Sequence, residues 1–330
     1  MDLGVYAVNL TDARILVLGG SGFVGQALCE RLHRAGAQIT VPTRNTAGSA
    51  RTLWPMPRVQ LVTADVHAPG TLARLLPGHD AVVNLVAVLH GSERAVTRVH
   101  VDLPRQLAQA CAQTGVRRVV HVSALGASPQ GPSLYQRSKA AGEAVLQQAD
   151  GLALTLLRPS VIFGPGDHFL NLFAGLQRVL PVMPLAGANA RLQPVAVGDV
   201  ADALARCLRA PATAGQIYEA CGPQVYTLRE LVRLSGQYAG IRQGRGRPVV
   251  GLPYALGYLQ ALALELLPGR TLMSRDNLRS LAVDNVASGQ LPGLAELGIA
   301  ATPLAALAPE YLGTAGRAVL LDELRQRARR

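Results

Sequence analysis

The sequence has almost no lysine. One occurs, Lys139, inside "SLYQRSKAAGEAV", and every other basic residue is arginine. Aromatic residues are also scarce, at 4% of 330. That leaves few rings on which bases could stack, and it argues against a single-strand binding role. The net charge is +11, but the arginines are scattered rather than laid out as a stripe, so no nucleic-acid partner is expected. A basic balance of this kind still suits anionic lipid or an acidic protein. The four cysteines, Cys29, Cys111, Cys207 and Cys221, stand far apart with no CxxC pair. They read as small buried hydrophobes in a reducing compartment, which argues against a disulfide frame and predicts no metal.

Long hydrophobic runs are missing too. The start, "MDLGVYAVNLTDAR", has no basic segment followed by an apolar core, so no secretory signal is predicted. The longest uncharged run, Pro248 to Leu264, is short for a membrane span and is interrupted by Gly251, Pro253, Gly257 and Gln260. It predicts a short strand and a buried helix; the competing reading is a helix lying on a membrane surface. The expected location is cytoplasmic, with peripheral contact at the inner face of a membrane as its extension.

What is present is globular: 49% hydrophobic and 16% charged residues. Apolar runs alternate with helical patterns through the first half. "RILVLGG", "AQITVPTR", "RVQLVTADV", "DAVVNLVAVL", "VRRVVHVSA" and "LALTLLRPSVIFG" predict six strands, and "VTRVHVDLPRQLAQACAQTG" predicts one long helix. The fold class expected is α/β: a Rossmann doubly wound parallel sheet with a smaller, mainly helical C-terminal substrate region. Residues 13–163 with about 191–210 are assigned to the sheet domain, 164–190 and 211–312 to the substrate or partner region. Residues 1–12 and 313–330 are expected to be a flexible N-terminus and a basic tail.

"VLGGSGFVG" spaces Gly19, Gly22 and Gly25 three apart, directly after a strand and opening a helix. Glycine there permits a tight turn and close approach of a pyrophosphate, and the helix start at Phe23 and Val24 offers free N–H groups to it. A structural glycine turn is the plainer alternative. An acid usually follows the second strand to hold a ribose 2′-hydroxyl; here "VPTRN" supplies Arg44 instead, which suits a 2′-phosphate. NADP(H) is therefore favoured over NAD(H). Asp65 and Val66, after the third strand, are placed near the adenine, although a helix-capping role fits Asp65 equally well.

Tyr135 and Lys139 are four apart and share a helix face, and Ser123 ends the fifth strand twelve residues earlier. With the glycine motif, this set resembles the extended short-chain dehydrogenase/reductases. The resemblance implies that Tyr135 is the general acid/base, that Ser123 bonds the substrate oxygen, and that Lys139 holds the nicotinamide ribose and lowers the tyrosine pKa. A phenol titrating near 10 must fall by about 3 units, roughly 4 kcal/mol, to work as a base near neutral pH. A compact ammonium suits that task better than a planar guanidinium.

"GGSGFVG", "VSALGASP…YQRSKAAGE", "LRPSVIFGPGDHFLNLFA" and "PVAVGDVADAL" are similar to an atypical branch of that superfamily. The branch contains the NADPH-binding accessory subunit of respiratory complex I and its bacterial relatives, and the similarity runs over roughly residues 13–312. It implies NADPH binding and a respiratory or quinone context. By the same resemblance Ala87 stands where many relatives have glycine, and Pro159 and Val161 line the nicotinamide side. Val88, Leu125, Gly164 and His168 shape a substrate wall. His100 lies where extended members often carry asparagine, and it reads as a satisfied core residue.

Three functions fit these residues. One is an NADP(H)-dependent oxidoreductase acting on a small, apolar or quinone-like carbonyl. The second is a non-catalytic NADPH-binding accessory protein of a respiratory complex. The third is an NAD-dependent sugar-nucleotide epimerase or dehydratase.

Overall fold

The computed structural model describes residues 8–266 and 273–313. Most of the expected flexible N-terminus and all but the first residue of the expected basic tail lie outside these described residues. The chain forms two compact units. The first holds the chain up to Pro159 with Val197–Ala220 and Ala287–Ala300. The second holds Ser160–Ala196, Cys221–Val286 and the chain from Ala301 onward.

The first unit is built on a seven-stranded parallel sheet. Its first six strands in chain order are β1 (Arg14–Leu18), β2 (Gln38–Thr43), β3 (Val59–Thr63), β4 (Ala81–Asn84), β5 (Arg118–Val122) and β6 (Ala153–Pro159). The spatial order is Ile217–Ala220, β6, β5, β4, β1, β2, β3, and every neighbouring pair is parallel. Ile15, Leu16, Val17 and Leu18 are all fully buried, as are Val82, Val83, Val119 and Val120. Strands that bury side chains on both faces are what helix-covered parallel sheets require. The chain reverses its direction of winding between β1 and β4, so their carboxyl ends flank a crevice suited to a ligand.

The single helix expected between β4 and β5 is three pieces: helix Glu93–Thr97, a wider π-type turn at Arg98–Asp102, and helix Leu103–Thr114. Pro104 is the physical cause. It has no N–H to give the His100 carbonyl, and its ring crowds that oxygen. The helix widens at His100, and such turns gather at functional sites.

Edge contacts tie the sheet to its coverings. Arg118 is buried and donates to the Ala153 carbonyl at 2.6 Å, to Thr155 Oγ1 at 2.9 Å and to Thr213 Oγ1 at 2.8 Å. Helix Val197–Arg209 packs on helix Phe23–Arg34, with Arg31 Nε 2.6 Å from Asp202 Oδ1.

The second unit has a separate core in which Phe163, Leu170, Leu185, Leu231, Val232, Leu304 and Ala308 are buried together. Asp167 organises its first loop. Its Oδ1 accepts the N–H groups of Phe169 (2.9 Å) and Asn171 (3.1 Å), and its Oδ2 accepts Tyr311 OH (2.6 Å) and the Gly164 N–H (3.1 Å). The run expected to be a strand and a buried helix forms strand Val249–Leu252 and helix Tyr254–Leu266. The helix is not buried all round: Tyr254, Leu256, Leu259 and Leu266 are 60%, 52%, 58% and 78% exposed. Only Gly257 and Ala261 lie fully inside, because Gly257 must pass close to Ala186. No helix among the described residues is long and apolar enough to cross a membrane.

Candidate functional site: a glycine loop, a tyrosine helix and the ends of two strands

The glycine loop leaves β1 with Gly19 at φ +81°, a conformation that favours glycine. A Cβ on Gly25 would lie 2.3 Å from the Gly19 carbonyl oxygen, so the turn and helix Phe23–Arg34 close on each other only through glycines. Gly22 caps that helix with extended backbone and no side chain, which leaves the first N–H groups facing the loop's open side. Gly19 abuts the backbone of Leu85 and Val86, at the exit of β4. The loop thus meets the segment carrying Ala87, which is exposed, and Val88, which is half-buried.

That segment is held at two points. Asn84 Oδ1 accepts the Val86 N–H at 3.2 Å, and His100 Nε2 accepts the Val88 N–H at 3.2 Å. Since Nε2 accepts, Nδ1 carries the proton and donates to Ser138 Oγ at 2.8 Å; Ser138 Oγ–H then donates to the Tyr135 carbonyl at 2.9 Å. Burial, with the Lys139 charge nearby, lowers the His100 pKa to about 3. A second neutral imidazole lies close by. Asn84 and His121 face each other across β4 and β5, and the Asn84 amide donates to His121 Nδ1 at 3.1 Å. Burial keeps His121 well below its usual pKa.

Helix Leu134–Gln147 carries the tyrosine and the lysine. Ser133 starts it: its hydroxyl accepts the Gln136 N–H at 3.1 Å, and the Gln136 side chain accepts the Ser133 N–H in return. Lys139 is 2% exposed and donates to the Val122 carbonyl at 2.8 Å. Val122 is the last residue of β5, so the ammonium is fixed at the end of that strand, one residue before Ser123. The Ser123 hydroxyl is buried and has no hydrogen-bond partner among the described residues. The Tyr135 ring packs edge-on against His100, with centroids 5.6 Å apart. Further along the helix, Glu143 makes a two-pronged pair with Arg158 at the end of β6, at 2.8 and 2.5 Å.

The electrostatics differ from the sequence expectation. Burial raises the Tyr135 pKa to about 12, and burial lowers Lys139 to about 8, partly offset by Glu143. At neutral pH the pair is therefore phenol plus ammonium, and desolvation outweighs the pull of the lysine on the phenol.

At the other end of the crevice, Thr43 pairs with Thr63, and the Ala64 N–H donates to the Thr43 carbonyl at 3.0 Å. Arg44 and Asp65 are thereby neighbours on adjoining strand ends. Arg44 is exposed. Asp65 holds the His67 N–H at 3.0 Å and lies 3.8 Å from Arg98. Val66 packs against the core beneath. Leu125 is buried, with its N–H on the Pro159 carbonyl at 2.9 Å. Val161, Gly164 and His168 belong to the second unit, where Val161 packs on the core and His168 is exposed. Sequence reasoning missed the roles of Asn84, His121, Ser138, Glu143 and Gly142, whose Cβ, if present, would lie 2.0 Å from the His100 carbonyl oxygen. Among them only Gly142, a glycine inside a helix, carries a local signal.

A parallel sheet with a glycine loop at its switch point defines a nucleotide-binding Rossmann protein. A model of the NAD dependent epimerase/dehydratase family matches residues 15–221, and the chain belongs to that family. It is 30% identical over 298 residues to NADH dehydrogenase [ubiquinone] 1 alpha subcomplex subunit 9, mitochondrial, of Mus musculus, covering 87% of this chain and 76% of that protein. It is 33% identical over 205 residues to a ceramide reductase of Caulobacter vibrioides, covering 61% and 63%. The dTDP-glucose 4,6-dehydratase DesIV of Streptomyces venezuelae, solved with NAD and TYD bound, superimposes with a TM-score of 0.64 at 27% identity, over 72% of this chain and 84% of that one.

Proposed function

We propose that the chain is an NADP(H)-dependent oxidoreductase that reduces an apolar carbonyl. The observation that carries this reading is the buried Ser123 hydroxyl, without a partner, on the residue that follows the Val122 carbonyl bonded by Lys139. An orphaned buried donor costs about 1–3 kcal/mol, and a substrate oxygen bound there would relieve it.

The glycine loop and the bare start of helix Phe23–Arg34 fit a pyrophosphate, and Lys139 fits a ribose. A nicotinamide held there would supply hydride to the carbonyl carbon. Ser123 orients the carbonyl oxygen by donating to it. Tyr135 holds its proton at neutral pH and so acts as the acid, passing that proton to the oxygen as negative charge develops there. Lys139, charged below pH about 8, stabilises the phenolate that results. His100 accepts no proton in this scheme; it is neutral and fixes the Val88 backbone and the tyrosine helix.

Arg44 at the end of β2, with no acid before it in "VPTRN", supports NADP(H) over NAD(H). The relative named as a reductase supports the reduction direction and a lipid-like carbonyl. The test is turnover of NADPH with long-chain ketones and quinone analogues. Tyr135→Phe is expected to lower kcat by 10²–10⁴ while NADPH affinity stays within about threefold. Full activity in Tyr135→Phe would reject the mechanism.

A second reading is an NADPH-binding accessory protein of a respiratory complex, located at the inner membrane face. The similarity to the mouse complex I subunit across 87% of this chain supports it. Binding of NADPH with no Tyr135-dependent turnover, together with co-purification from membranes, would favour it.

A further inference from the structure

The second unit holds a cavity of about 570 Å³ whose walls include Arg229, Arg233, Arg242, Arg245 and Arg247. In sequence these arginines are spread over nineteen positions and attract no notice; helix Leu228–Tyr238 and the loop after it bring them together. The loop holds Arg242 at φ +51° and Gln243 at φ +58°, between glycines at +69° and +82°. Left-handed backbone at two consecutive non-glycine residues is strained, and such strain persists where the surroundings impose it. The far end of the loop is anchored. The buried Gln177 accepts the Arg247 N–H at 2.9 Å through Oε1 and Arg247 Nε at 3.1 Å through its carbonyl.

Little of the charge in this cavity is offset internally: Glu230 is the acid that feels Arg233. Arg229 donates to the neutral Val249 carbonyl at 2.7 Å. Arg233, Arg242 and Arg245 are exposed and form no ion pair among the described residues. The one acid in the lining, Glu230, is engaged by Thr227 at 2.7 and 2.8 Å as a helix cap. Five arginines against one acid leave the cavity walls net cationic.

An apolar surface continues from it. Val249 lines the cavity; the next residue, Val250, is 51% exposed, and the same strand runs through Pro253 into helix Tyr254–Leu266 with its exposed Tyr254, Leu256, Leu259 and Leu266. Glu265, the acid on that helix, is paired with Arg275 at 2.8 Å. A soluble phosphate compound would account for the cavity and leave the helix unexplained. A surface that is anionic above and apolar beneath accounts for both.

We propose that the second unit docks on an anionic phospholipid surface, with helix Tyr254–Leu266 in the headgroup–acyl boundary and the arginine cavity on the lipid phosphates. This deepens the membrane-face location raised above and does not depend on turnover. The experiment is co-sedimentation of the full chain with vesicles of phosphatidylcholine containing phosphatidylglycerol, against phosphatidylcholine alone, with NADPH titrated into every variant. Binding is expected to the anionic vesicles and to fall with added salt. Arg242→Glu with Arg245→Glu, and separately Leu256→Asp with Leu259→Asp, are expected to lower partition tenfold or more and leave NADPH binding unchanged. Arg74→Glu with Arg94→Glu, on the other unit, is expected to change it less than twofold. Trp54→Phe with Leu259→Trp should give a blue-shifted emission on anionic vesicles. The proposal is overturned if the wild-type chain ignores anionic vesicles or if the control pair loses as much as the cavity pair. It is equally overturned if Leu259→Trp gives no shift, or if inorganic phosphate or single-stranded RNA binds the cavity in place of the vesicles.

Discussion

Gly142 lies directly against the His100 carbonyl: a Cβ at position 142 would be 2.0 Å from that oxygen. The carbonyl is there because Pro104 cannot bond it within the helix, and the widened turn at Arg98–Asp102 pushes it toward the tyrosine helix. The contact sets the distance between the helix carrying Tyr135 and Lys139 and the segment carrying His100. Backbone oxygen cannot step aside cheaply, so Gly142→Ala is expected to destabilise at the upper end of the 1–3 kcal/mol usual for overpacking, about 3 kcal/mol. Displacing the helix should also weaken NADPH. A thermal melt and a cofactor titration check it; an unchanged melting temperature would refute the contact.

Lys139 is nearly sealed, with its ammonium on the Val122 carbonyl. A guanidinium is broader and would have to displace the end of β5. Lys139→Arg is therefore expected to lower NADPH affinity tenfold or more despite keeping the charge, read by fluorescence titration. The lysine also leaves a pH signature in the cofactor-free protein. Its folded pKa of about 8 lies below the usual 10.5. Between those values the unfolded chain binds more protons than the folded one, so this residue's contribution to stability rises with pH. The full rise is up to about 3 kcal/mol. The melting difference between wild type and Lys139→Met should shift in the wild type's favour from pH 8 to 10.

Much of this arrangement is legible in the sequence, and the rest is hidden for identifiable reasons. The six strands and the glycine loop read directly, since Ile15–Leu18 and Val119–Val120 must be apolar on both faces. Gly142 reads only as a weak point in a helix; its partner is a carbonyl freed by a proline in another element. The Asn84–His121 pair depends on strand register. The spacing of Tyr135 and Lys139 suggests a lowered phenol pKa, whereas burial raises it to about 12. The exposed side of helix Tyr254–Leu266 is hidden for the opposite reason: an apolar run is usually core, and only packing reveals which residues it leaves outside.

His100 and His121 are buried neutral, and acid should find them. His100 takes a proton near pH 6.5 when unfolded and near 3 when folded. As pH falls through that window the unfolded chain binds more protons, so stability is lost. At pH 5 His100 costs about 2 kcal/mol relative to pH 7, and His121 acts in the same direction. His100→Gln, which can accept from the Val88 N–H and donate to Ser138, is expected to flatten the drop in melting temperature between pH 7 and pH 5. An equally steep drop in His100→Gln would place the acid sensitivity elsewhere.

The proposed preference for NADP(H) rests on Arg44. Its guanidinium is exposed, lies at the end of β2 beside Asp65, and forms no ion pair among the described residues. A 2′-phosphate held there would make charged hydrogen bonds worth about 2 kcal/mol, roughly thirtyfold in affinity. Arg44→Asp removes that pairing and repels the phosphate, while its carboxylate is able to accept from a ribose 2′-hydroxyl. NADPH should weaken by thirtyfold or more and NADH should tighten severalfold, both measured by titration at one ionic strength. The salt dependence of NADPH binding should fall in the same variant, since one charge contact is lost. Equal, small changes for both cofactors would make Arg44 a solvated surface residue and overturn the proposed NADP(H) preference.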